Sequence, residues 1–220
     1  GKPMADNTKQ FRYIATLKGG FDAYYKYRDD VFVAGDLLWY PVEGDNKTRY
    51  APDVLIAFGR PPGDRGSYLQ WRENGQSPDV VFEVLSPGNT KKEMQAKLQA
   101  YERYGAREYY VYDPDKGTLE GWLRDETTDR FQGIETMQHW KSPLCEVVFH
   151  LEGEHLVVTR PDGKIFLTPT EADDLQMITE QRVEDEKHQK EDAIKREEME
   201  KRQKEDAIKR EEMEKRQKED

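Results

Sequence analysis

Short apolar runs separated by polar turns dominate the chain up to about residue 160. Residues 53–58 (DVLIAF) and 80–85 (VVFEVL) are almost continuously apolar, which predicts strands buried on both faces. Residues 31–33 and 37–42 flank a turn signal at 34–36 and predict a hairpin. Shorter runs predict further strands at residues 108–112, 119–123, 147–151 and 156–159.

One segment between these strands has the pattern of an amphipathic helix. Residues 90–104 carry an apolar stripe of Met94, Leu98 and Tyr101. Thr90 and Glu93 have the spacing of a capping box, and Gly105 stands where a helix-ending glycine belongs. The pattern therefore predicts an α+β domain whose sheet is packed by one main helix.

The end of the chain has a different pattern, because residues 190–203 (KEDAIKREEMEKRQ) are repeated exactly at 204–217. Acids precede bases by four residues, as in Glu191 and Lys195, which favours a helix. Its thin apolar content favours a solvated helix with ion pairs over a coiled coil. We predict a domain at 1–178, with its motif core at 51–114, and a charged helical tail at 179–220. The tail would be a spacer or a weak oligomerisation arm.

Charge and composition narrow the class of protein. The net charge is −10, and 28 of the last 40 residues are charged. This balance argues against a general basic coat for nucleic-acid binding. No apolar stretch is long enough for a membrane span, and the first ten residues lack the pattern of a secretory signal. The single cysteine, Cys145, excludes an internal disulfide, so we expect a reduced, cytoplasmic location.

Glu83 is the first candidate for chemistry, because it interrupts a strand that is otherwise apolar. A buried carboxylate is costly unless it is protonated, paired or bound to a metal. A structural salt bridge, or a glutamate at the open end of a strand, would explain it equally well. Asp53 opens the preceding strand, so the two acids would lie about 5 Å apart if the strands are neighbours. Such a pair suits Mg²⁺ or Mn²⁺. Asp79 lies about 13 Å along the strand from Glu83, and we expect it to be a strand-edge residue.

Three basic residues complete the set of candidates. Lys97 lies beside the apolar stripe of the helix, so its ammonium could reach a nearby acid. A surface ion pair with Glu93, four residues earlier, is the alternative. Arg60 and Arg65 lie on the loop at residues 59–66 (GRPPGDRG) and could contact a phosphate backbone, although arginines on exposed loops are usually only solvated.

Residues 51–68 (APDVLIAFGRPPGDRGSY) and 78–114 (PDVVFEVLSPGNTKKEMQAKLQAYERYGAREYYVYDP) resemble a known family. They are similar to the putative restriction endonuclease (Uma) family of the PD-(D/E)XK nuclease superfamily. The resemblance covers approximately residues 24–122 and implies a restriction-endonuclease-like mixed β-sheet. It does not extend to the repeat tail.

The resemblance implies roles for individual residues. Asp53 and Glu83 would be the metal-binding acids, and the backbone carbonyl of Leu85 would be a further ligand. Leu85 stands where the superfamily usually has its lysine, and Lys97 would be the substitute on the following helix. The acid that many members carry on an N-terminal helix has no counterpart before Asp36.

The implied activity is Mg²⁺- or Mn²⁺-assisted hydrolysis of phosphodiester bonds, most simply in DNA, by a homodimer. Two alternatives stay open. The chain could be a non-catalytic nucleic-acid- or protein-binding module on a nuclease fold, which its net negative charge favours. It could also be a nuclease for RNA or branched DNA.

Overall fold

The computed structural model describes residues 8–219, with the side chains of 211, 212 and 214–219 left undescribed. It divides into two compact units, Gly1–Pro169 and Thr170–Asp220. The helices are α1 (Thr8–Tyr24), α2 (Lys91–Tyr104) and α3 (Pro169–Glu219), and a short 3₁₀-helix covers Gln70–Arg72. The strands are β1 (Val31–Gly35), β2 (Trp39–Tyr40), β3 (Val54–Phe58), β4 (Tyr68–Leu69), β5 (Val80–Val84), β6 (Glu108–Asp113), β7 (Thr118–Asp125), β8 (Arg130–Gly133), β9 (Trp140–Lys141), β10 (Val148–Glu152) and β11 (His155–Thr159).

A six-stranded mixed sheet organises the first unit, with the order β1-β3-β5-β6-β7-β8. Only β5 and β6 run parallel, and α2 makes the crossover between them. The other pairs are antiparallel. Strands β3 and β5 each have a neighbouring strand on both sides and are buried along almost their whole length. The predicted α+β class and the two doubly buried strands are therefore confirmed.

The start and end of α2 also agree with the sequence pattern. The Thr90 hydroxyl accepts a hydrogen bond from the Glu93 N–H, and the Glu93 carboxylate accepts one from the Thr90 N–H. These bonds satisfy helix N–H groups that have no partner within the helix. Gly105 has a φ of 103°, a left-handed conformation that glycine adopts without steric cost.

The sheet is packed by helices on both faces, although the sequence predicted only one. Helix α1 contributes Tyr13, Leu17 and Phe21 to one core layer. Helix α2 contributes Tyr101 to the layer on the opposite face. A Cβ at Gly20 of α1 would lie 2.2 Å from the Phe166 ring, so this close contact requires glycine.

The predicted hairpin between residues 31–33 and 37–42 is wrong. Strand β1 pairs with β3, in a register that sets Val33 opposite Ile56. Strand β2 instead forms a short parallel pair with β4. Asp36 adopts a φ of 48° and leads the chain out of the main sheet after β1. The local turn signal was correct, but pairing was decided by the more apolar β3, which buries β1 more completely.

Glu108, at the start of β6, holds a loop against the sheet through a buried carboxyl group. Its oxygens accept hydrogen bonds from the Ser142 hydroxyl at 2.5 Å, the Leu144 N–H at 2.7 Å and the Tyr110 hydroxyl at 2.8 Å. Burial raises the pKa of Glu108, although these hydrogen bonds act in the opposite direction. The folded protein therefore retains this proton to a higher pH than the unfolded chain does.

We predict that the stability contributed by Glu108 is greatest below the ordinary glutamate pKa and is lost as the pH rises through the raised value. Glu108→Gln removes this titration, and a glutamine amide can still bond the same three groups. Urea unfolding at pH 4.5 and pH 7.5 measures the effect. We expect the parent to lose more stability than the variant between the two pH values, and equal losses would contradict the prediction.

The second unit is a single charged helix, α3, as the repeat predicted, although the helix begins before the boundary predicted at residue 179. Every side chain described from Glu171 onward is exposed, including Ile194 and Ile208 of the repeat. Asp192 and Lys195 form one of its ion pairs, with 3.9 Å between Oδ1 and Nζ. No helix in the described part of the chain has an apolar stretch that could cross a bilayer.

We predict that deleting everything after Glu180 leaves the melting temperature unchanged, because the removed side chains that are described are all exposed. The melting temperatures of the shortened and the full chain are compared by thermal unfolding, followed by circular dichroism at 222 nm. A drop of several degrees would show that the tail stabilises the domain. Such a drop would also contradict its assignment as an independent spacer.

Candidate active site

The candidate acids lie where β3 begins and β5 ends. The two strands are antiparallel, with Val54 opposite Phe82, so Asp53 and Glu83 occupy the next pair of positions in the register. Adjacent strands are about 4.8 Å apart. The Oδ2 atom of Asp53 accepts a hydrogen bond from the Val84 N–H at 2.6 Å. The fold thus brings both acids to one end of neighbouring strands.

Glu83 is buried, with 3% of its surface exposed. It lies on the face that α2 covers, and both of its carboxylate oxygens have partners. Lys97 donates to Oε2 at 2.6 Å, and Tyr101 donates to Oε1 at 2.5 Å. The carboxylate is therefore held by one charged and one neutral donor from successive turns of α2.

Tyr101 contacts the candidate acid Glu83 but was not among the candidates predicted from the sequence. Burial, followed by the negative charge of Glu83, raises its pKa well above the ordinary tyrosine value. The hydroxyl therefore keeps its proton and serves as a donor to Glu83. Its signal in the sequence is the spacing, since Tyr101 follows Lys97 by four residues and so faces the same side of the helix.

Lys97 makes the buried contact that its position beside the apolar stripe suggested. Its side chain is 28% exposed, while that of Glu83 is 4% exposed. The carboxylate of Glu93, the alternative partner, accepts hydrogen bonds from the backbone N–H and the hydroxyl of Thr90. A structural ion pair between Lys97 and Glu83 is compatible with this geometry, and so is a catalytic lysine held next to an acid.

Two backbone positions at the end of β5 extend the region around the candidate acids. The Leu85 N–H donates to the Tyr112 carbonyl at 2.8 Å, which keeps Leu85 beside β6 just beyond the end of β5. The Val84 carbonyl accepts a hydrogen bond from the Gln10 side-chain amide at 2.7 Å. Helix α1 therefore reaches the acids' end of the sheet, but it does so with an amide, so the acid of the N-terminal helix stays unassigned.

The residues at this end fit a hard divalent cation in chemistry, because carboxylate and carbonyl oxygens are the ligands that Mg²⁺ and Mn²⁺ prefer. Mg²⁺ is commonly held by only one or two carboxylates, with waters and substrate phosphate completing the set. Within residues 8–219, no three histidine, cysteine or acidic side chains come together as a metal-binding group. Asp53, Glu83 and the Leu85 carbonyl would therefore form only a partial ligand set for such a cation.

Asp79 lies at the other end of β5. Its carboxylate accepts hydrogen bonds from the Phe58 N–H at 2.8 Å and from the Gln76 amide at 2.9 Å. Burial raises the pKa of Asp79 above its ordinary value, because its effect is larger than the opposite effect of these hydrogen bonds. These contacts join the end of β3 to the start of β5, in keeping with a structural residue at a strand edge.

The structure does not bring Arg60 and Arg65 to the acids. Both follow β3 on its far end, whereas Asp53 precedes β3. Arg65 donates to Glu73 Oε1 at 2.8 Å, and its guanidinium lies 3.8 Å from the centre of the Phe32 ring. A contact of this loop with phosphate stays a prediction, but it would be remote from Asp53 and Glu83.

The chain is similar to proteins of one family over most of its length. The family described as "Uma2: Putative restriction endonuclease" matches residues 6–152. A solved structure, of a putative nuclease belonging to DUF820 from Anabaena variabilis ATCC 29413, is 14% identical with a TM-score of 0.47. That similarity covers 64% of this chain and 74% of the other. The comparison with curated proteins finds no match. With the family match extending over about two thirds of its residues, the chain belongs to the Uma2 family of putative restriction endonucleases.

Proposed function

We propose that this protein is a divalent-metal-dependent endonuclease that hydrolyses phosphodiester bonds in DNA. The observation that carries the proposal is the meeting of Asp53, Glu83 and Lys97 at one end of β3 and β5. Family membership supports a nuclease in general terms. Metal dependence and DNA as the substrate go beyond what family membership supports, and the experiments below test them.

In this proposal, Asp53, Glu83 and the Leu85 carbonyl hold Mg²⁺ or Mn²⁺. The cation, when bound, polarises the scissile phosphate and lowers the pKa of the attacking water. The Val84 N–H fixes one oxygen of Asp53, and the Tyr101 hydroxyl fixes one oxygen of Glu83. These two hydrogen bonds orient the carboxylates before any ligand arrives, which lowers the cost of binding.

Lys97 has two partners in turn under this proposal. Without substrate, its ammonium neutralises the buried Glu83. Because Lys97 is partly exposed, its flexible stem can carry the ammonium to the phosphate when substrate binds. There it orients the water and offsets the negative charge that develops on the phosphate. A homodimer would present one such site to each strand of a duplex.

A non-catalytic binding module is the second candidate function. Both oxygens of Glu83 are engaged by side chains of α2, so the carboxylate is already satisfied without a cation. In that case the protein would bind a nucleic acid or another protein through its surface, without a metal ion and without cleavage. This interpretation predicts that divalent cations do not bind at Asp53 and Glu83.

Calorimetric titration of Mn²⁺ into the full chain distinguishes the two candidates. We predict binding to the parent and loss of that binding in Asp53→Asn/Glu83→Gln, because the charged ligands are removed while side-chain size is kept. Asp79→Asn is the matched control, since it neutralises a buried acid at the far end of β5, and it should bind Mn²⁺ like the parent. Binding that survives in the double variant would contradict the proposed site.

A further inference from the structure

An open groove of about 540 Å³ lies on the same sheet face as Glu83, between α2 and strands β6 and β7. Glu83, Val111 and Glu120 stand opposite one another across β5, β6 and β7. Glu120, which lines the groove, is therefore two strands, or about 10 Å, from Glu83. The groove is next to the candidate acids and has the size of a small-molecule site.

The groove combines a flat apolar wall with a carboxylate at its surface. Tyr109 and Trp122 form the wall, with their rings 5.3 Å apart and inclined by 23°. Leu98 of α2 lies on the other side. Glu120 is exposed and has no hydrogen bond or ion pair with any residue that the structure describes. It is thus available to accept hydrogen bonds from a ligand.

Tyr109 supplies an independent indication of a ligand. Its side chain is almost fully buried, with 1% of the residue exposed, yet its hydroxyl has no hydrogen-bond partner among the described residues. Its neighbours in sequence and in space are satisfied, since Tyr110 donates to Glu108 and Tyr101 donates to Glu83. A buried hydroxyl without a partner is costly, and such groups are often completed by a ligand or water.

The charges around this hydroxyl restrict the chemistry of the ligand. After burial, the negative charges of Glu83, Asp53 and Glu120 raise the pKa of Tyr109, so all three acids lie close enough to act on it. A phosphate would be repelled near this hydroxyl, whereas Lys91 and Lys116 also line the groove, the latter paired with Asp113 at the far end of β6. A neutral aromatic ring with amino hydrogens would stack on the wall and donate to Glu120, and nucleobases have both properties.

We propose that this groove binds an unstacked nucleobase of the strand that is cleaved at Asp53 and Glu83. The base lies against the partly exposed Trp122, an amino group donates to Glu120, and small rotamer changes in the wall admit a polar atom of the base to the buried Tyr109 hydroxyl. The inference rests on the proposed function and narrows its substrate. The protein acts on nucleic acid that has an unpaired nucleotide beside the cleaved bond.

Binding to DNA labelled with 2-aminopurine, in EDTA, tests the groove without cleavage. The full chain is titrated against a single-stranded oligonucleotide and against the same strand in a perfect duplex, whose bases are paired and cannot enter. We expect quenching of 2-aminopurine and binding of the single strand about tenfold tighter than the duplex. Tyr109→Phe and Glu120→Gln should each weaken single-strand binding about tenfold.

Two control variants separate binding from folding. Glu126→Gln neutralises an exposed acid in the turn after β7 and should bind like the parent. Tyr110→Phe removes a hydroxyl that is paired and should lower the melting temperature, whereas Tyr109→Phe removes an unpaired one and should not. Equal binding of single strand and duplex by the parent, or unchanged binding by both groove variants, would overturn the inference.

Parallel assays of Mn²⁺-dependent cleavage distinguish a failure of the inference from a failure of the proposed function. Cleavage of duplex DNA without a preference for single strands would overturn the nucleobase groove and leave the nuclease assignment intact. Neither binding nor cleavage of any DNA would overturn both. Tight single-strand binding without cleavage would support the groove and favour a binding module.

Discussion

Asp53→Asn and Glu83→Gln are each expected to lower the rate of Mn²⁺-dependent DNA cleavage by at least about a hundredfold. Each substitution removes a negatively charged oxygen ligand at the end of β3 or β5 while preserving the shape of the side chain. Losing one preorganised electrostatic group in an active site commonly costs a factor of about 100 to 1,000 in rate. Initial rates of cleavage of duplex and of single-stranded DNA, with saturating Mn²⁺, measure the loss of activity.

The fold should survive both changes, although for different reasons. In Asp53→Asn, the amide oxygen of the new side chain can still accept the hydrogen bond from the Val84 N–H. In Glu83→Gln, the amide oxygen can still accept from either Tyr101 or Lys97. Near-ultraviolet circular dichroism should therefore match the parent. Asp79→Asn again serves as the control and should cleave at the rate of the parent. If the Asp53 and Glu83 variants also cleaved at that rate, the assignment of both acids would be wrong.

Lys97→Met is expected to reduce both stability and cleavage. It leaves the Glu83 carboxylate, of which only 4% is exposed, with Tyr101 but without its charged partner. Removing one member of a buried ion pair costs about 3–5 kcal/mol, and the partial exposure of Lys97 places this pair near the lower figure. Urea unfolding at neutral pH measures the loss of stability.

The double variant Glu83→Gln/Lys97→Met separates the structural role of the pair from its chemical role. With neither charge present, no unpaired ion remains in the core, so stability should return towards that of the parent. Cleavage should stay at least about a hundredfold below that of the parent, because both proposed roles have been removed. If the double variant were no more stable than Lys97→Met, the unpaired charge of Glu83 would not be the cause of the lost stability. If the double variant cleaved DNA at the parental rate, neither residue would take part in the reaction.

The local elements could be predicted because their signals lie within a few residues. Strands β3 and β5 are short apolar runs, and a buried strand needs no other pattern. Helix α2 carries its own capping box and its own terminal glycine. The repeat in α3 places acids and bases on successive turns. In each case, the forces that decide the conformation act between neighbours in the sequence.

The arrangement of these elements was less predictable. Helix α1 was not predicted because its sequence includes Gly19 and Gly20, which disfavour a helix. Its apolar residues stabilise the helix only by packing against the sheet. The pairing of β1 with β3 replaced the expected hairpin because a central apolar strand offered more burial than an adjacent short one. Both outcomes depend on contacts between segments that are distant in the chain.

The family, the α+β class, the main strands and the position of Glu83 inside an apolar strand could all be inferred from the amino-acid sequence. The contacts of Glu83 could not, because Lys97 and Tyr101 lie 14 and 18 residues away and meet it through the packing of α2 on the sheet. The same packing left the hydroxyl of Tyr109 without a partner among the described residues. Apolar runs specify what is buried, whereas the partner of each buried polar group follows from how the elements pack together.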